Sequence, residues 1–394
     1  MKRVLVHVLR LGVCAAALWW ALHGLSWHDW VTLIDGRRLQ VVGESEGRIE
    51  ALDAQGGRVA VDRRDIAVDA DGEHRIEYGV LAVWRKADKR LLLLSLLLFL
   101  PVPALAALRF VWMLRAQDIH IRNWEGIKLT YAGNFFNFVM FGTTGGDLFK
   151  AYYAAQHTPH KVEAVMAVLL DRVIGLIAIV ALATAASTFR LDDSRIRQLL
   201  LWLLLMLGVM AVGLLLFYMP GLRDRLRPAQ RLRWVPGIDK LLRIDRAVLR
   251  MRERPAIVAG TFGLSALLQI IAIATFYIWA LAVGMQPGWP SYFAYIGAAL
   301  VVAAIPVTPM GLGTMEAALI LFLSKASGGD PFGTKGQVVF LALGIRLIQL
   351  AWALPGVLVP LMGAHRPSAY RVRELEAAMK AEETGKGSVE ASLS

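Results

Sequence analysis

The sequence predicts an all-α polytopic membrane bundle with a small all-β extracytoplasmic insert. The bundle has either six full spans plus two opposed re-entrant broken-helix segments, or eight spans. Two observations lead to this fold class. Of the 394 residues, 57% are hydrophobic, whereas ordinary soluble domains use roughly 45–50% apolar residues. Several apolar runs also reach the ~20 residues that a helix needs to cross a bilayer.

Six segments are predicted to span the membrane. Five are apolar over a sufficient length: residues 91–114, 162–187, 199–219, 256–283 and 338–362. The sixth is the N-terminal segment, which has a basic start and an apolar run without a small-residue cleavage site, so we interpret it as a retained helix. The predicted domains are a first transmembrane helix (1–28), a small extracytoplasmic β domain (29–89), a transmembrane domain (90–362) and a cytoplasmic polar tail (363–394).

The polar insert after the first span has the pattern of short strands. Its stretch RRLQVVGESEGRIEALDAQGGRVAVD, residues 37–62, alternates apolar and polar residues around glycine-rich turns. A period of two is typical of half-buried strands. We therefore expect a small domain of four or five strands, whose pattern is too general to indicate a function.

The basic residues of the short loops predict the orientation. Residues 115–128 and 221–255 are rich in Lys and Arg, so we place both segments, and both termini, in the cytoplasm. Only two full spans lie between these segments, so residues 129–153 are predicted to enter and leave the membrane on the cytoplasmic side. By the same parity, residues 292–323 begin and end outside. The alternative, in which both segments span fully, gives the eight-helix topology.

The two broken segments also resemble each other weakly. Aligning Tyr131 with Tyr295 brings Gly133 into line with Gly297. Together with the predicted entry from opposite faces, this alignment indicates an inverted-topology repeat. Transporters of that design place their site near the midplane, where two discontinuous helices meet.

Glycine and proline mark the break in each segment. Irregular backbone at membrane depth is tolerated only where protein or a water-filled cavity surrounds it, so the breaks predict a cavity. Each new helix starts with unpaired N–H groups and a positive dipole end, which suit a phosphate or carboxylate. We expect Asp147 to cap the first new helix and Thr314 the second. The glycines and prolines assigned to the candidate site are Gly145, Gly146, Pro306, Pro309, Gly311 and Gly313.

Ionisable residues within apolar segments complete the candidate substrate-binding set. They are Asp147, Lys150, Asp171, Arg172, Glu316 and Arg346. A charge at the bilayer centre costs about 2.5–3.5 kcal/mol on insertion scales, so each needs a partner or water. Adjacent residues on a helix point in different directions, so Asp171 and Arg172 are not expected to pair with each other. We predict cross-helix ion pairs instead, in which Arg172 or Arg346 meets an acid that follows a break. These pairs either contact substrate or only fix the helix register.

Other residues and motifs receive no chemical role. Arg109, near the inner end of its apolar run, is expected to extend to the membrane interface. The only cysteine, Cys14, excludes a disulfide within the chain and a cysteine-based metal cluster. The eight histidines form no metal-binding motif, and no nucleotide-binding or serine-hydrolase motif is present. We therefore predict no metal, no cofactor, no catalytic residue and no enzymatic activity.

Three stretches resemble motifs of the lysylphosphatidylglycerol synthase transmembrane region, a flippase-like family of integral membrane proteins. They are GTTGGDLFK (142–150), DRVIGL (171–176) and PVTPMGLGTME (306–316). The resemblance covers roughly residues 106–362 and implies the translocating region without the soluble synthase domain. Two positions depart from the first family motif: Gly142 replaces a proline, and Lys150 replaces an arginine, which removes the fork that grips phosphate through two bonds.

These observations predict a membrane lipid translocase that moves an anionic phospholipid or polyprenyl-phosphate headgroup between leaflets. One alternative is an ion-coupled transporter of a soluble anion, with Asp171 or Glu316 carrying the proton. Another is a non-catalytic accessory protein of membrane lipid or envelope synthesis. The net charge of +12 lies in loops, which indicates contact with anionic lipid rather than nucleic acid. We expect membrane lipids and a lipid-synthesising enzyme on a separate chain as partners, and the bacterial inner membrane as the location.

Overall fold

The structure is a computed structural model that describes most of the chain. The described residues are 29–45, 48–53, 56–68, 76–77, 79–139, 145–156, 158, 161–218, 253–304, 308, 311–324 and 332–361. The first helix predicted at residues 1–28 and the tail predicted at residues 363–394 lie outside this set.

Five short strands form an antiparallel sheet in the polar insert. They are β1 (Trp30–Thr32), β2 (Arg38–Ser45), β3 (Arg48–Leu52), β4 (Arg58–Asp62) and β5 (Ile76–Glu77). The strand order is β4-β3-β2-β1-β5. The predicted alternation places Val31, Ile49 and Val61 in one small apolar core. The β architecture is therefore confirmed, and the extracytoplasmic location stays a prediction.

The turn between β1 and β2 contains an exposed ion pair. The backbone N–H of Arg37 donates to Oδ1 of Asp35 at 2.9 Å, and its Nε donates to Oδ2 at 2.6 Å. These hydrogen bonds favour the ionised carboxylate and lower the pKa of Asp35 below its ordinary value. The left-handed Gly36 between the two residues, with φ of +82°, completes the turn.

Twelve α-helices follow within the described ranges. They are α1 (Val80–Lys86), α2 (Lys89–Leu98), α3 (Pro101–Ala116), α4 (Asn123–Val139), α5 (Gly145–Gln156), α6 (Lys161–Ser187), α7 (Ser194–Tyr218), α8 (Pro255–Ala282), α9 (Trp289–Ala304), α10 (Thr314–Leu323), α11 (Lys335–Ala353) and α12 (Leu358–Leu361). Pro101 begins α3, which explains the interruption after α2, because proline has no N–H to continue the helical ladder.

Five helical segments in the described part of the chain are long and apolar enough to cross a membrane. They are Lys89–Ala116, Glu163–Arg190, Ser194–Leu215, Pro255–Ala282 and Lys335–Val357. Each overlaps one of the five internal spans predicted from the sequence, so that part of the prediction is confirmed. The helices α9 and α10 are apolar but shorter. The total number of spans stays a prediction.

The chain divides into two compact units. Unit 1 contains Met1–Phe99, Ala183–Leu200 and Ala272–Ile348. Unit 2 contains Leu100–Leu182, Leu201–Ile271 and Gln349–Ser394. Each unit contains one of the two broken segments.

Both broken segments form helical hairpins. In unit 2, α4 and α5 pack antiparallel, because Gly133 lies beside Lys150 while Asn137 bonds to Gly146. In unit 1, α9 and α10 do the same, and the rings of Tyr295 and Phe322 stack with their centroids 5.5 Å apart. The helix breaks predicted from glycine and proline are therefore present. Their re-entry into a bilayer stays a prediction.

The short stretch of chain that follows α11, which belongs to unit 2, packs against the hairpin of that unit. Beyond Ala353 the chain continues as a 3-10 turn, Leu354–Val357, with Pro355 near its start. A Cβ added at Gly356 would overlap the backbone carbonyl of Tyr131 in α4. The absence of a side chain at this glycine therefore allows the two backbones to touch.

Candidate functional site

Two glycines allow the helices of the unit 2 hairpin to touch. A Cβ added at Gly146 would overlap the carbonyl oxygen of Gly133. A Cβ added at Gly133 would lie 2.7 Å from Cε of Lys150 and 3.1 Å from the carbonyl oxygen of Gly146. The close approach predicted at Gly146 is therefore present, and Gly133 is the partner that makes it. The same approach places the Lys150 side chain along α4.

The side chain of Asn137 on α4 holds the first turn of α5. Its Oδ1 accepts a hydrogen bond of 2.8 Å from the backbone N–H of Gly146, one of the amides that a helix start leaves without a partner. Asp147, which we predicted to be the cap, lies inside the first turn. That prediction is wrong because a side chain from the neighbouring helix reaches the N–H group.

Replacing Asn137 with alanine is expected to lower the free energy of unfolding by about 1–2 kcal/mol, because the Gly146 N–H loses its acceptor. The measurement is chemical or thermal unfolding of the full-length chain in detergent micelles. Asn134→Ala on the same helix is the matched control, since Asn134 has no hydrogen bond among the described residues. Equal losses in the two variants would mean that this hydrogen bond is not the cause.

Two ion pairs in unit 2 start from consecutive residues of α6. Nε of Arg172 contacts Oδ2 of Asp147 on α5, which confirms a predicted cross-helix pair. Asp171 bonds instead to Arg109 of α3: Nε donates to Oδ1 at 2.7 Å, and Nη2 donates to Oδ2 at 2.9 Å. Because adjacent helical residues point in different directions, the two pairs connect α6 to two different helices.

The expectation that Arg109 extends to the membrane interface is wrong. Its side chain is only 11% exposed, that of Asp171 is 9% exposed, and Nη1 also donates to Oγ of Ser265 at 3.0 Å. The planar guanidinium makes two parallel bonds to the carboxylate, a strong and directional arrangement. A carboxylate buried at this depth needs such a partner, and Gly175 leaves space for it, since a Cβ there would lie 3.0 Å from Nη1.

Lys150 is a third cation beside these pairs. It is 8% exposed, and its Nζ lies 5.5 Å from the centroid of the Phe110 ring, within range of a cation–π contact. Among the described residues, Lys150 makes no hydrogen bond and no ion pair. The carboxylates of Asp171 and Asp147 also act on it electrostatically.

We call Lys150 and the four charged residues that act on it the charge cluster. The cluster consists of Arg109, Asp147, Lys150, Asp171 and Arg172, and the other four act electrostatically on Lys150. The two arginines each hold one carboxylate. Counted over these five described residues, the charge cluster has three cations and two acids, a net charge of +1.

In unit 1, Arg346 of α11 and Glu316 of α10 close the turn between α9 and α10. Nε of Arg346 donates to Oε1 of Glu316 at 3.0 Å, and Nη2 donates to the carbonyl oxygen of Gly311 at 3.0 Å. Oε2 of Glu316 accepts the N–H of Gly313 at 2.6 Å. The predicted cross-helix pair is confirmed. The other hydrogen bonds of the two side chains go to backbone groups of the turn, at Gly311 and Gly313. This geometry favours the structural role for these residues.

Thr314 does not cap α10 as we predicted. It is the first residue of the helix, and Gly313 precedes it with φ of +82°. The hydroxyl of Thr314 donates to the carbonyl oxygen of Gly311 at 3.1 Å, while Glu316 bonds to the N–H group at the helix start. The prediction is wrong because the longer side chain of Glu316, in the first turn of the helix, accepts the hydrogen bond from the N–H of Gly313. Pro306 and Pro309 lie outside the described residues.

The sequence analysis missed three residues that shape the unit 2 site. Arg109 had the same signal that selected Asp171, a charge well inside an apolar run. Asn137 and Gly133 lie one turn apart on α4, and that spacing of a polar and a small residue predicts a packed face. Their partners on α5 are not visible in the sequence, because only the hairpin brings them together.

The helices and the buried ion pairs define a multi-pass membrane protein with charged side chains held inside its apolar segments. The family model of the lysylphosphatidylglycerol synthase transmembrane region matches residues 79–356. The match covers well over half of the 394 residues, so the chain belongs to this family, as the sequence motifs predicted. Membership indicates a membrane protein of lipid-related function. A comparison with curated proteins gave no match.

Proposed function

We propose that this protein is a membrane lipid translocase that moves an anionic phospholipid or polyprenyl-phosphate headgroup between leaflets. The observation that carries the proposal is the buried Lys150 in α5, the second helix of the unit 2 hairpin. It belongs to the charge cluster, whose net charge is +1. Ionisable residues inside membrane segments are costly to insert and usually mark a substrate or ion pathway. A phosphate group is an anion that this cluster can neutralise.

Two features favour a lipid over a soluble anion that moves with protons. The carboxylate oxygens of both candidate proton carriers already accept hydrogen bonds: those of Asp171 from Arg109, and those of Glu316 from Arg346 and from the N–H of Gly313. The family to which the chain belongs is also a lipid-related one. We therefore place the headgroup at the charge cluster and the acyl tails in the surrounding lipid.

The proposal extends to the setting in which the protein works. We place it in the bacterial inner membrane with both termini in the cytoplasm, because the basic residues concentrate in the loops assigned to that side. Its chemical role is translocation rather than catalysis. A lipid-synthesising enzyme on a separate chain would supply the substrate.

Purified protein in liposomes is expected to speed the crossing of fluorescent phosphatidylglycerol, measured by dithionite quenching of the outer leaflet. The variant Lys150→Met removes the charge but keeps the length of the side chain, and the crossing rate should fall at least about tenfold, the effect of losing about 1.4 kcal/mol of headgroup interaction. Lys161→Met, at the exposed start of α6, is the control and should keep the wild-type rate. Crossing no faster than in empty vesicles, for several headgroups, would refute the proposed function.

A further inference from the structure

The sheet of the polar insert has two edges of different kinds. Strand β5, at one edge, contains only Ile76–Glu77, and shortness is one way in which proteins protect an edge from pairing. Strand β4, at the other edge, has five residues and no proline, and its pairing with β3 runs without a bulge. Among the residues that the structure describes, no backbone hydrogen bond reaches the outer side of β4. This edge can therefore accept a further strand.

The hairpin before β4 determines which of its backbone groups point outward. The N–H of Asp53 donates to the carbonyl oxygen of Gly57 at 2.9 Å, so the Gly57 carbonyl faces β3. Successive residues of an antiparallel strand direct their hydrogen-bonding groups to alternate sides. The N–H and C=O groups of Arg58, Ala60 and Asp62 therefore point away from β3.

The side chains of β4 leave the small apolar core of the sheet open at this edge. Val59 and Val61 lie on the core face, opposite two buried residues of β3, Ala51 and Ile49. Val61 is only 4% exposed, whereas Val59 is 41% exposed. An apolar side chain on the core face is thus left partly in water at the outer edge of the sheet.

The sequence of β4, RVAVD, is complementary to itself in the antiparallel direction. When two copies pair about a two-fold axis at Ala60, Arg58 of each copy faces Asp62 of the other, and Val59 faces Val61. The backbone matches too, because the outward groups of Ala60 then meet those of its own equivalent. A shift by one residue would bring core-face side chains opposite polar-face ones. A shift by two residues would keep the hydrogen bonds but separate the charges.

We infer that β4 pairs antiparallel with β4 of a second copy of this chain, so that a homodimer shares one continuous sheet. Such an isologous interface, in which one surface serves both partners, is the commonest kind in homo-oligomers. Pairing covers Val59 with Val61 of the second copy. It also places Asp62, which faces Arg48 on β3, opposite Arg58 of the second copy, and opposite charges directly across a sheet stabilise it. This interaction surface is separate from the charge cluster and does not depend on the proposed function.

The test places a cysteine on the two-fold axis of the full-length chain, after Cys14→Ser has removed the only native cysteine. The Cα atoms of a hydrogen-bonded antiparallel pair are about 5.5 Å apart, within the range of about 4.4–6.8 Å that disulfides have. Ala60→Cys should therefore form a disulfide-linked dimer when membranes that contain the protein are treated with copper phenanthroline. Non-reducing gel electrophoresis measures the yield.

Arg58→Cys is the matched control, because residue 58 is another exposed position of the same strand. In the proposed register the two copies of this residue lie about 14 Å apart along the strands, too far for a disulfide. We expect at least about fivefold more linked dimer from Ala60→Cys than from Arg58→Cys. Equal yields would indicate random collision and would overturn the inference.

Two charge reversals test the register in the Ala60→Cys background. Arg58→Asp and Asp62→Arg should each lower the dimer yield at least about threefold, because like charges then lie directly opposite each other. Membranes that contain both variants, each with its own affinity tag, should recover the yield of the parent as a mixed dimer. In that dimer, each charge again faces an opposite one.

Thermal unfolding of each reduced variant shows whether the sheet is intact, and the comparison of Ala60→Cys with Arg58→Cys does not depend on the reversals. A folded reversal that links as well as its parent overturns the inference, as does a mixture that links no better than the single variants. Mass photometry of the wild-type chain in lipid nanodiscs should give the mass of a dimer. A monomer, or a link from Ala60→Cys to a different protein, would exclude the second copy as the partner of this edge.

Discussion

Arg109→Met is expected to lower the free energy of unfolding by about 3–5 kcal/mol, the usual effect of removing one partner of a buried ion pair. The loss arises because Asp171, which is 9% exposed, keeps its charge without the two guanidinium bonds of 2.7 and 2.9 Å. Ser265 loses its hydrogen bond from the same guanidinium. Unfolding of the full-length protein in detergent by guanidinium or heat measures the change.

A double variant and a surface control test whether burial of the ion pair causes this loss of stability. Combining Arg109→Met with Asp171→Leu should recover at least half of the loss, because an apolar pair in place of a buried ion pair is often neutral. Arg37→Met removes the same kind of partner from an exposed pair, whose side chains are 72% and 46% accessible. It should leave stability nearly unchanged. If the two arginine variants behave alike, burial is not the cause.

Gly311→Ala is expected to cost about 2–5 kcal/mol, for two reasons that add. The residue has φ of +66°, where an L side chain costs about 1–2 kcal/mol. Its Cβ would also lie 2.8 Å from Cβ and 2.9 Å from both Cα and the carbonyl oxygen of Ala303, and relief of such overpacking costs about 1–3 kcal/mol. The displaced turn would move the carbonyl to which Arg346 bonds.

Gly284→Ala separates the two reasons. Gly284 has φ of +79°, but the nearest atom to an added Cβ is Nε2 of Gln337 at 3.5 Å, which is ordinary contact. This variant should lose only about 1–2 kcal/mol from the backbone conformation. Thermal unfolding of both variants under identical conditions gives the comparison. Equal losses would show that Ala303 moves aside and that the close contact is not important.

The features that follow from one segment alone were predictable from the sequence. Apolar length is visible in the sequence, which is why each of the five predicted internal spans overlaps a helical segment long and apolar enough to cross a membrane. A charge inside such a span must find a partner, and this argument anticipated the pairs of Arg172 with Asp147 and of Arg346 with Glu316. Proline and glycine likewise predicted where the hairpins turn.

The features that depend on neighbouring helices were not predictable. Arg109 could reach either water or Asp171, and only the packing of α3 beside α6 decides between them. The N–H group at the start of α5 could be capped locally, but Asn137 from α4 lies closer. The aligned glycines of the weak repeat also differ in their contacts. Gly133 packs on its own hairpin partner, whereas an added Cβ at Gly297 would lie 2.7 Å from Cβ of Ala183.

The contact between Gly133 and Gly146 has a mechanical consequence. The backbones of α4 and α5 touch, Asn137 forms a hydrogen bond between the two helices, and Gly356 contacts Tyr131 of α4. These contacts oppose sliding of one helix along the other. A displacement of the α5 backbone at Lys150 would therefore move α4 and α5 together as one rigid hairpin.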